Sequence, residues 1–166
     1  MIIIKNKRFT LSIDERCTAQ SLVLNNTGKE CLLKGTNTAL FSLTQERPYS
    51  NELKLSHPNR RTTFQANSVV REGNKLIVGF ELLTLKAVIE IKEADNYVSF
   101  TLIDYIIPEG DFLALAPMDS PPIAEFRLLQ LPVINHKNYG EWLNVSFDDD
   151  VAVNVLATSH YPDVGY

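Results

Sequence analysis

Two runs of alternating apolar and polar residues, joined by Asp95 and Asn96, most constrain the fold of this chain. Pairing the runs across this two-residue turn, which we interpret as a type I′ turn, gives one apolar face: Ile91 with Phe100 and Ile89 with Leu102. It also gives one polar face: Lys92 with Ser99, Glu90 with Thr101 and Lys86 with Tyr105. One apolar, buried face and one polar, solvent-exposed face are typical of an antiparallel sheet that packs on one side only.

Similar strand-sized segments, separated by turn residues, recur along the whole chain. They predict strands at 2–5, 8–13, 17–24, 30–33, 40–45, 62–70, 75–82, 84–93, 97–106, 123–132, 142–147 and 151–158. No stretch keeps a helical period over three turns, so we expect little helix. Many short strands without alternating helices predict an all-β, antiparallel β-sandwich. The proline-rich connection 107–122 would cross between the sheets or form one rim of the sandwich.

The last hairpin, 142–156, carries the candidate site. A three-residue turn at Asp148, Asp149 and Asp150 predicts an apolar face: Phe147 with Val151, Val145 with Val153 and Leu143 with Val155. The opposite face then pairs these residues: Trp142 with Leu156, Asn144 with Asn154 and Ser146 with Ala152. This face is too polar for a core and too aromatic for an ordinary solvated surface.

Three interpretations of this aromatic face remain open. It packs against an adjoining domain, it forms a satellite core under the proline-rich loop, or it is a glycan platform. A sugar ring lies on an aromatic side chain with its apolar C–H face, while its hydroxyl groups bond to amides. The platform residues would be Tyr139, Trp142, Asn144 and Asn154.

The composition of the 166 residues predicts a single domain, 1–166, and the net charge of −4 argues against a nucleic-acid partner. No apolar run approaches the roughly 20 residues that cross a membrane as a helix. We expect Cys17 and Cys31 to be free, buried thiols, because the predicted hairpin between them separates them beyond disulfide reach.

Motifs for catalysis and cofactors are absent from the sequence. It has no phosphate-binding glycine loop, nucleophile elbow, metalloprotease helix or paired-cysteine zinc pattern. We therefore predict no cofactor. The acidic turn at Asp148, Asp149 and Asp150 is a weak calcium candidate, since Asp also favours tight turns through bonds to nearby backbone.

Three features together resemble a known family. They are the short strands up to residues 40–43, the paired segments 85–91 and 97–103, and the segment 126–132 followed by 140–145 and the acidic turn. The resemblance is to the N-terminal β-sandwich of large multidomain bacterial glycoside hydrolases. In those enzymes the similar domain has a galactose-mutarotase-like supersandwich fold and precedes a (β/α)8 catalytic barrel.

The resemblance implies that this chain is the N-terminal part of a larger protein and a non-catalytic accessory domain. The hydrolytic carboxylates would lie downstream, and the Trp142 face or the 107–122 loop would pack on the barrel. The implied partners are that catalytic domain and an oligo- or polysaccharide, with no nucleic acid and no membrane. The implied location is periplasmic or extracellular, although the residues themselves leave the compartment unknown.

Two other functions compete with this expectation. One is a stand-alone glycan-binding module. The other is a small epimerase or mutarotase that uses His136 or His57 with Glu125, although the histidine pair and carboxylate of known mutarotases have no match here. Fold alone does not decide among these functions.

Overall fold

The computed structural model describes residues 1–46, 61–107, 123–140 and 144–158. Within these residues the protein is all-β with antiparallel sheets, which confirms the predicted fold class. The strands are β1 (Ile2–Lys5), β2 (Phe9–Ile13), β3 (Ala19–Leu24), β4 (Ser42–Glu46), β5 (Arg61–Glu72), β6 (Lys75–Phe80), β7 (Lys86–Glu93), β8 (Val98–Ile106), β9 (Ile123–Arg127), β10 (Asn138–Gly140), β11 (Val145–Phe147) and β12 (Ala152–Asn154).

The described strands form three sheets. A six-stranded sheet has the order β8-β7-β6-β5-β4-β9, and two three-stranded sheets have the orders β1-β2-β3 and β10-β11-β12. The apolar side chains of the first two sheets meet in one core, which includes Ile4 and Leu11 from the smaller sheet and Leu76 and Ile89 from the larger. This face-to-face packing resembles a β-sandwich. The third sheet reaches the same core through Val151.

The β7–β8 hairpin confirms most of the predicted pairing. Four predicted pairs are present: Ile91 with Phe100, Ile89 with Leu102, Lys92 with Ser99 and Glu90 with Thr101. The fifth is wrong, because a bulge inserts Ile103 into β8 and places Ile106 opposite Lys86. The type I′ turn is also wrong, because neither Asp95 nor Asn96 has the positive φ that such a turn needs.

Other strands also differ from the prediction. The predicted strand 123–132 ends at Arg127. The segment 30–33 forms isolated bridges, in which Glu30 pairs with Val23 and Leu32 with Val133. The short strand β10 was not predicted. The connection 107–122 lies outside the described residues apart from residue 107.

Both cysteines are free and buried, as predicted. Cys17 lies in the tight β2–β3 turn with a left-handed φ of 64°. The carboxylate of Asp14 closes this turn by accepting hydrogen bonds from the amides of Arg16 (3.0 Å) and Thr18 (2.9 Å). Burial, with a smaller contribution from the charge of Asp14, raises the pKa of the Cys17 thiol to about 12. Burial likewise raises the pKa of Cys31.

We therefore expect neither thiol to react in the folded protein. The thiolate is the reactive form of cysteine. Burial keeps each thiol protonated and shields its sulfur atom from a reagent in solution. Ellman's reagent should release almost no colour from the native protein near neutral pH and should titrate both thiols in guanidinium chloride. Rapid reaction of one thiol in the native protein would contradict this packing.

Candidate functional site

The hairpin that carries the candidate site is displaced by one residue from the predicted register. Four residues, 148–151, connect β11 and β12, so Val145 lies opposite Asn154, Ser146 opposite Val153 and Phe147 opposite Ala152. The amide of Asp148 donates to the carbonyl of Val151 at 2.9 Å, so these two residues close the turn. A slip of one residue exchanges the two faces of a strand, so the predicted apolar face is wrong.

The exchanged faces give the hairpin a different inner surface. Ser146 is buried, and Val151 beyond the end of β11 joins the main core. Phe147 lies on the outer face with 38% of its surface exposed. The hydroxyl of Ser146 accepts a hydrogen bond from the amide of His136 at 3.3 Å, which accounts for a buried polar residue at this position.

Of the four predicted platform residues, the structure brings two together. Tyr139 is 63% exposed, and its hydroxyl donates to the side-chain oxygen of Asn144 at 3.4 Å. Tyr139 lies opposite Ser146, whereas Asn154 lies opposite Val145. Direct partners project to the same face of a sheet, so Asn154 lies on the other face from Tyr139. Trp142 lies outside the described residues.

The acidic turn is organised around Asp148. One carboxylate oxygen accepts the amides of Asp150 and Val151, both at 3.0 Å. The other oxygen accepts the Lys29 ammonium and the Nδ1 atom of His136, again both at 3.0 Å. These bonds, with that of Lys29 the largest contributor, hold the pKa of the Asp148 carboxyl well below its usual range.

This arrangement bears on the calcium candidate. Asp148 already receives four donors, which fills its capacity as an acceptor, and one of the donors is a cation. Asp149 is exposed, and the carboxylate of Asp150 lies 4.0 Å from the same Lys29 ammonium. No group of three His, Cys, Asp or Glu side chains that suits a metal ion occurs within the described ranges.

Of the residues of the epimerase alternative, His136 and Glu125 are described, and they have separate partners. The His136 side chain is only 3% exposed and bonds to Asp148, and its Nε2 atom has no hydrogen-bond partner among the described residues. Glu125, on β9 of the six-stranded sheet, accepts a hydrogen bond from the neighbouring Arg127. His57 lies outside the described residues.

A second candidate site, which the sequence analysis missed, is a polar cleft between the β2–β3 turn and the six-stranded sheet. Its volume is about 790 Å³. The lining residues are Asp14, Arg16, Thr18, Asn37, Thr38, Ala39, Gln65, Ala66, Asn67, Glu81 and Gln130. They come from separate stretches of the chain, and no local motif connects them. The one local signal is the pair of adjacent polar residues Asn67 and Ser68 within a strand, where alternation breaks down.

In the part of the chain that the structure describes, no helix has the length and apolar character needed to cross a membrane. Comparisons with protein families, with curated proteins and with solved structures find no match to this chain.

Proposed function

We propose that this chain is a non-catalytic β-sandwich domain of a carbohydrate-active enzyme, a glycoside hydrolase. Its β10–β12 sheet would contact a downstream catalytic domain and carbohydrate. The observation that carries the proposal is the exposed Tyr139 ring, whose hydroxyl is held by Asn144. An exposed aromatic ring beside an amide offers an apolar surface for a sugar ring and polar groups for its hydroxyls.

Further apolar exposure around the same sheet supports a role in contact. Phe147 is 38% exposed and Leu156 is 63% exposed. Phe147 lies on the opposite face of the sheet from Tyr139, so its exposed ring suits contact with the catalytic domain and not with the same sugar. The sheet also has a firm attachment to the body, because Asp148 bonds to Lys29 and Val151 enters the core. A surface held in place in this way loses little conformational entropy when a partner binds.

The glycan contact predicts a specific effect of Tyr139→Ala. Titration with cello-, xylo-, manno- and galacto-oligosaccharides, followed by NMR, should detect binding to the unmodified chain. Removal of the ring should weaken that binding by about 1 kcal/mol or more, roughly fivefold. Tyr97→Ala is the matched control, since Tyr97 is 55% exposed and lies at the far β7–β8 turn.

Equal losses in the two variants, or no binding of any oligosaccharide, would contradict the glycan contact. The nucleotide sequence of the gene tests the docking role. If the role is correct, the reading frame should continue beyond residue 166 and encode a (β/α)8 catalytic domain. Oligosaccharide binding through Tyr139 without such a region would replace the proposal with a stand-alone glycan-binding module.

A further inference from the structure

We infer that the polar cleft beside the β2–β3 turn binds a neutral, polyhydroxylated ligand, one or two sugar residues in size. This cleft lies on the six-stranded sheet, the β1-β2-β3 sheet and their connections, and it shares no residue with the Tyr139 surface. The inference does not depend on the proposed docking role. It rests on the shape, the rigidity and the donor and acceptor groups of the cleft.

The size of the cleft suits a small molecule. Its volume of about 790 Å³ lies within the range of roughly 300–1,000 Å³ that is typical of ligand sites. Most such sites are lined by apolar and aromatic side chains, whereas here only Ala39 and Ala66 among the lining residues are apolar. An apolar ligand would therefore desolvate many polar groups without replacing their bonds to water. A polar ligand would replace those bonds.

The walls of the cleft are fixed by three hydrogen bonds to backbone carbonyls. The amide of Val69 on β5 donates to the carbonyl of Glu15 at 3.1 Å, which ties the β2–β3 turn to the six-stranded sheet. The amide of Leu40 donates to the carbonyl of Cys17 at 2.9 Å. The side chain of Gln130 donates to the carbonyl of Ala39 at 3.2 Å. The cleft is thus formed before a ligand arrives, which lowers the entropic cost of binding.

Two local irregularities direct side chains towards the cleft. In the pairing of β5 with β6, Ala66 lies opposite Phe80 and Ser68 lies opposite Gly79. Asn67 is therefore an extra residue in β5. A bulge of this kind redirects a side chain and is common next to binding sites. On the opposite wall, the left-handed φ of Cys17 keeps the turn tight and presents Arg16 to the cleft. Strained non-glycine residues of this kind are concentrated at functional sites.

The polar side chains that line the cleft indicate the chemical class of the ligand. No hydrogen bond or ion pair joins the side chains of Arg16, Asn67 or Glu81 to another described residue. Amides and hydroxyls, which both donate and accept, make up most of the remaining lining. The hydroxyl groups of a sugar also donate and accept hydrogen bonds, so they complement the amides and hydroxyls of the lining. Two carboxylates against one guanidinium leave the lining negative, which disfavours phosphate and other anions.

The test is a titration of the chain with glucose, galactose, cellobiose and lactose, followed through the backbone amide signals in NMR. We expect saturable shifts at Arg16, Asn67 and Glu81 with at least one of these sugars. Asn67→Ala and Glu81→Ala should each weaken that binding roughly threefold to tenfold, the effect of losing one hydrogen bond. Glu72→Ala, at the exposed end of β5 outside the cleft, is the matched control and should leave binding unchanged.

Three outcomes would overturn the inference. Shifts that cluster only around Tyr139 would support the glycan platform and refute the cleft. Saturable cleft shifts with glycine or phosphate, but not with sugars, would show that the ligand class is wrong. The absence of shifts with any sugar at millimolar concentrations would refute the site. Cleft binding that Tyr139→Ala leaves intact would sustain this inference even if the platform fails.

Discussion

Replacement of Phe41 by alanine should lower the free energy of unfolding by about 3–5 kcal/mol, the usual cost of removing a buried phenylalanine ring. Phe41 has no exposed surface. Its ring centroid lies 6.4 Å from that of Phe100 and 6.5 Å from that of Phe126. Removal of the ring would leave a cavity between strands at both edges of the six-stranded sheet. Equilibrium unfolding in urea measures the effect, and the m-value should be unchanged.

The surroundings explain why this position should be among the most sensitive in the chain. Phe126 also contacts Phe80 at 5.9 Å and Tyr105 at 6.2 Å, so the Phe41 ring supports a cluster that spans the sheet. Phe147→Ala removes the same ring from a position with 38% exposure and should cost clearly less. Similar losses for the two variants would mean that Phe41 does not lie at the centre of the core.

The prediction from sequence succeeded where the information was local. In the β7–β8 hairpin, alternation over several residues on each side of the turn identified both the strands and most pairs. One register aligns the apolar faces and the others do not, so the pattern alone specifies the pairing. The bulge at Ile103 does leave a signal in the sequence, because the adjacent apolar residues Leu102 and Ile103 interrupt the alternation, but the position of the extra residue follows only from the pairing with β7.

The prediction failed where distant residues decide the geometry. The pattern of β11 and β12 fits a three-residue turn, yet the observed turn closes between Asp148 and Val151. Asp148 is fixed by Lys29 and His136, neither of which belongs to the hairpin. The polar cleft was missed for the same reason, since its walls come from segments that meet only in the folded protein.

The same turn gives the second large effect: Asp148→Ala should lower the midpoint of thermal unfolding at neutral pH by several degrees. The substitution removes four hydrogen bonds together. It leaves the half-buried Lys29 ammonium and the buried Nδ1 atom of His136 without their acceptor. The loss is most costly at His136, because its side chain is only 3% exposed and its polar atom stays out of water.

The pH dependence of this effect has a definite sign. The pKa of Asp148 is lower in the folded protein than in the unfolded chain, where a value of about 3.9 applies. The unfolded chain therefore takes up the proton first as the pH falls, and the stability from Asp148 starts to decrease near pH 4, at about the pKa of the unfolded chain, and falls further as the pH drops towards the lower pKa of the folded protein. The difference between the unmodified chain and Asp148→Ala should be full at neutral pH and should shrink towards acidic pH.

Asp149→Ala is the matched control for this experiment, because it removes the same charge from the same turn at an exposed position. It should leave the midpoint nearly unchanged at every pH. Asp148→Asn separates the two roles of the carboxylate, since an amide oxygen can still accept the turn amides but carries no charge for Lys29. Its midpoint should fall between those of the unmodified chain and Asp148→Ala. If Asp149→Ala lowers the midpoint as much as Asp148→Ala, the effect reflects the general charge of the turn and not the bonds that join the small sheet to the sandwich.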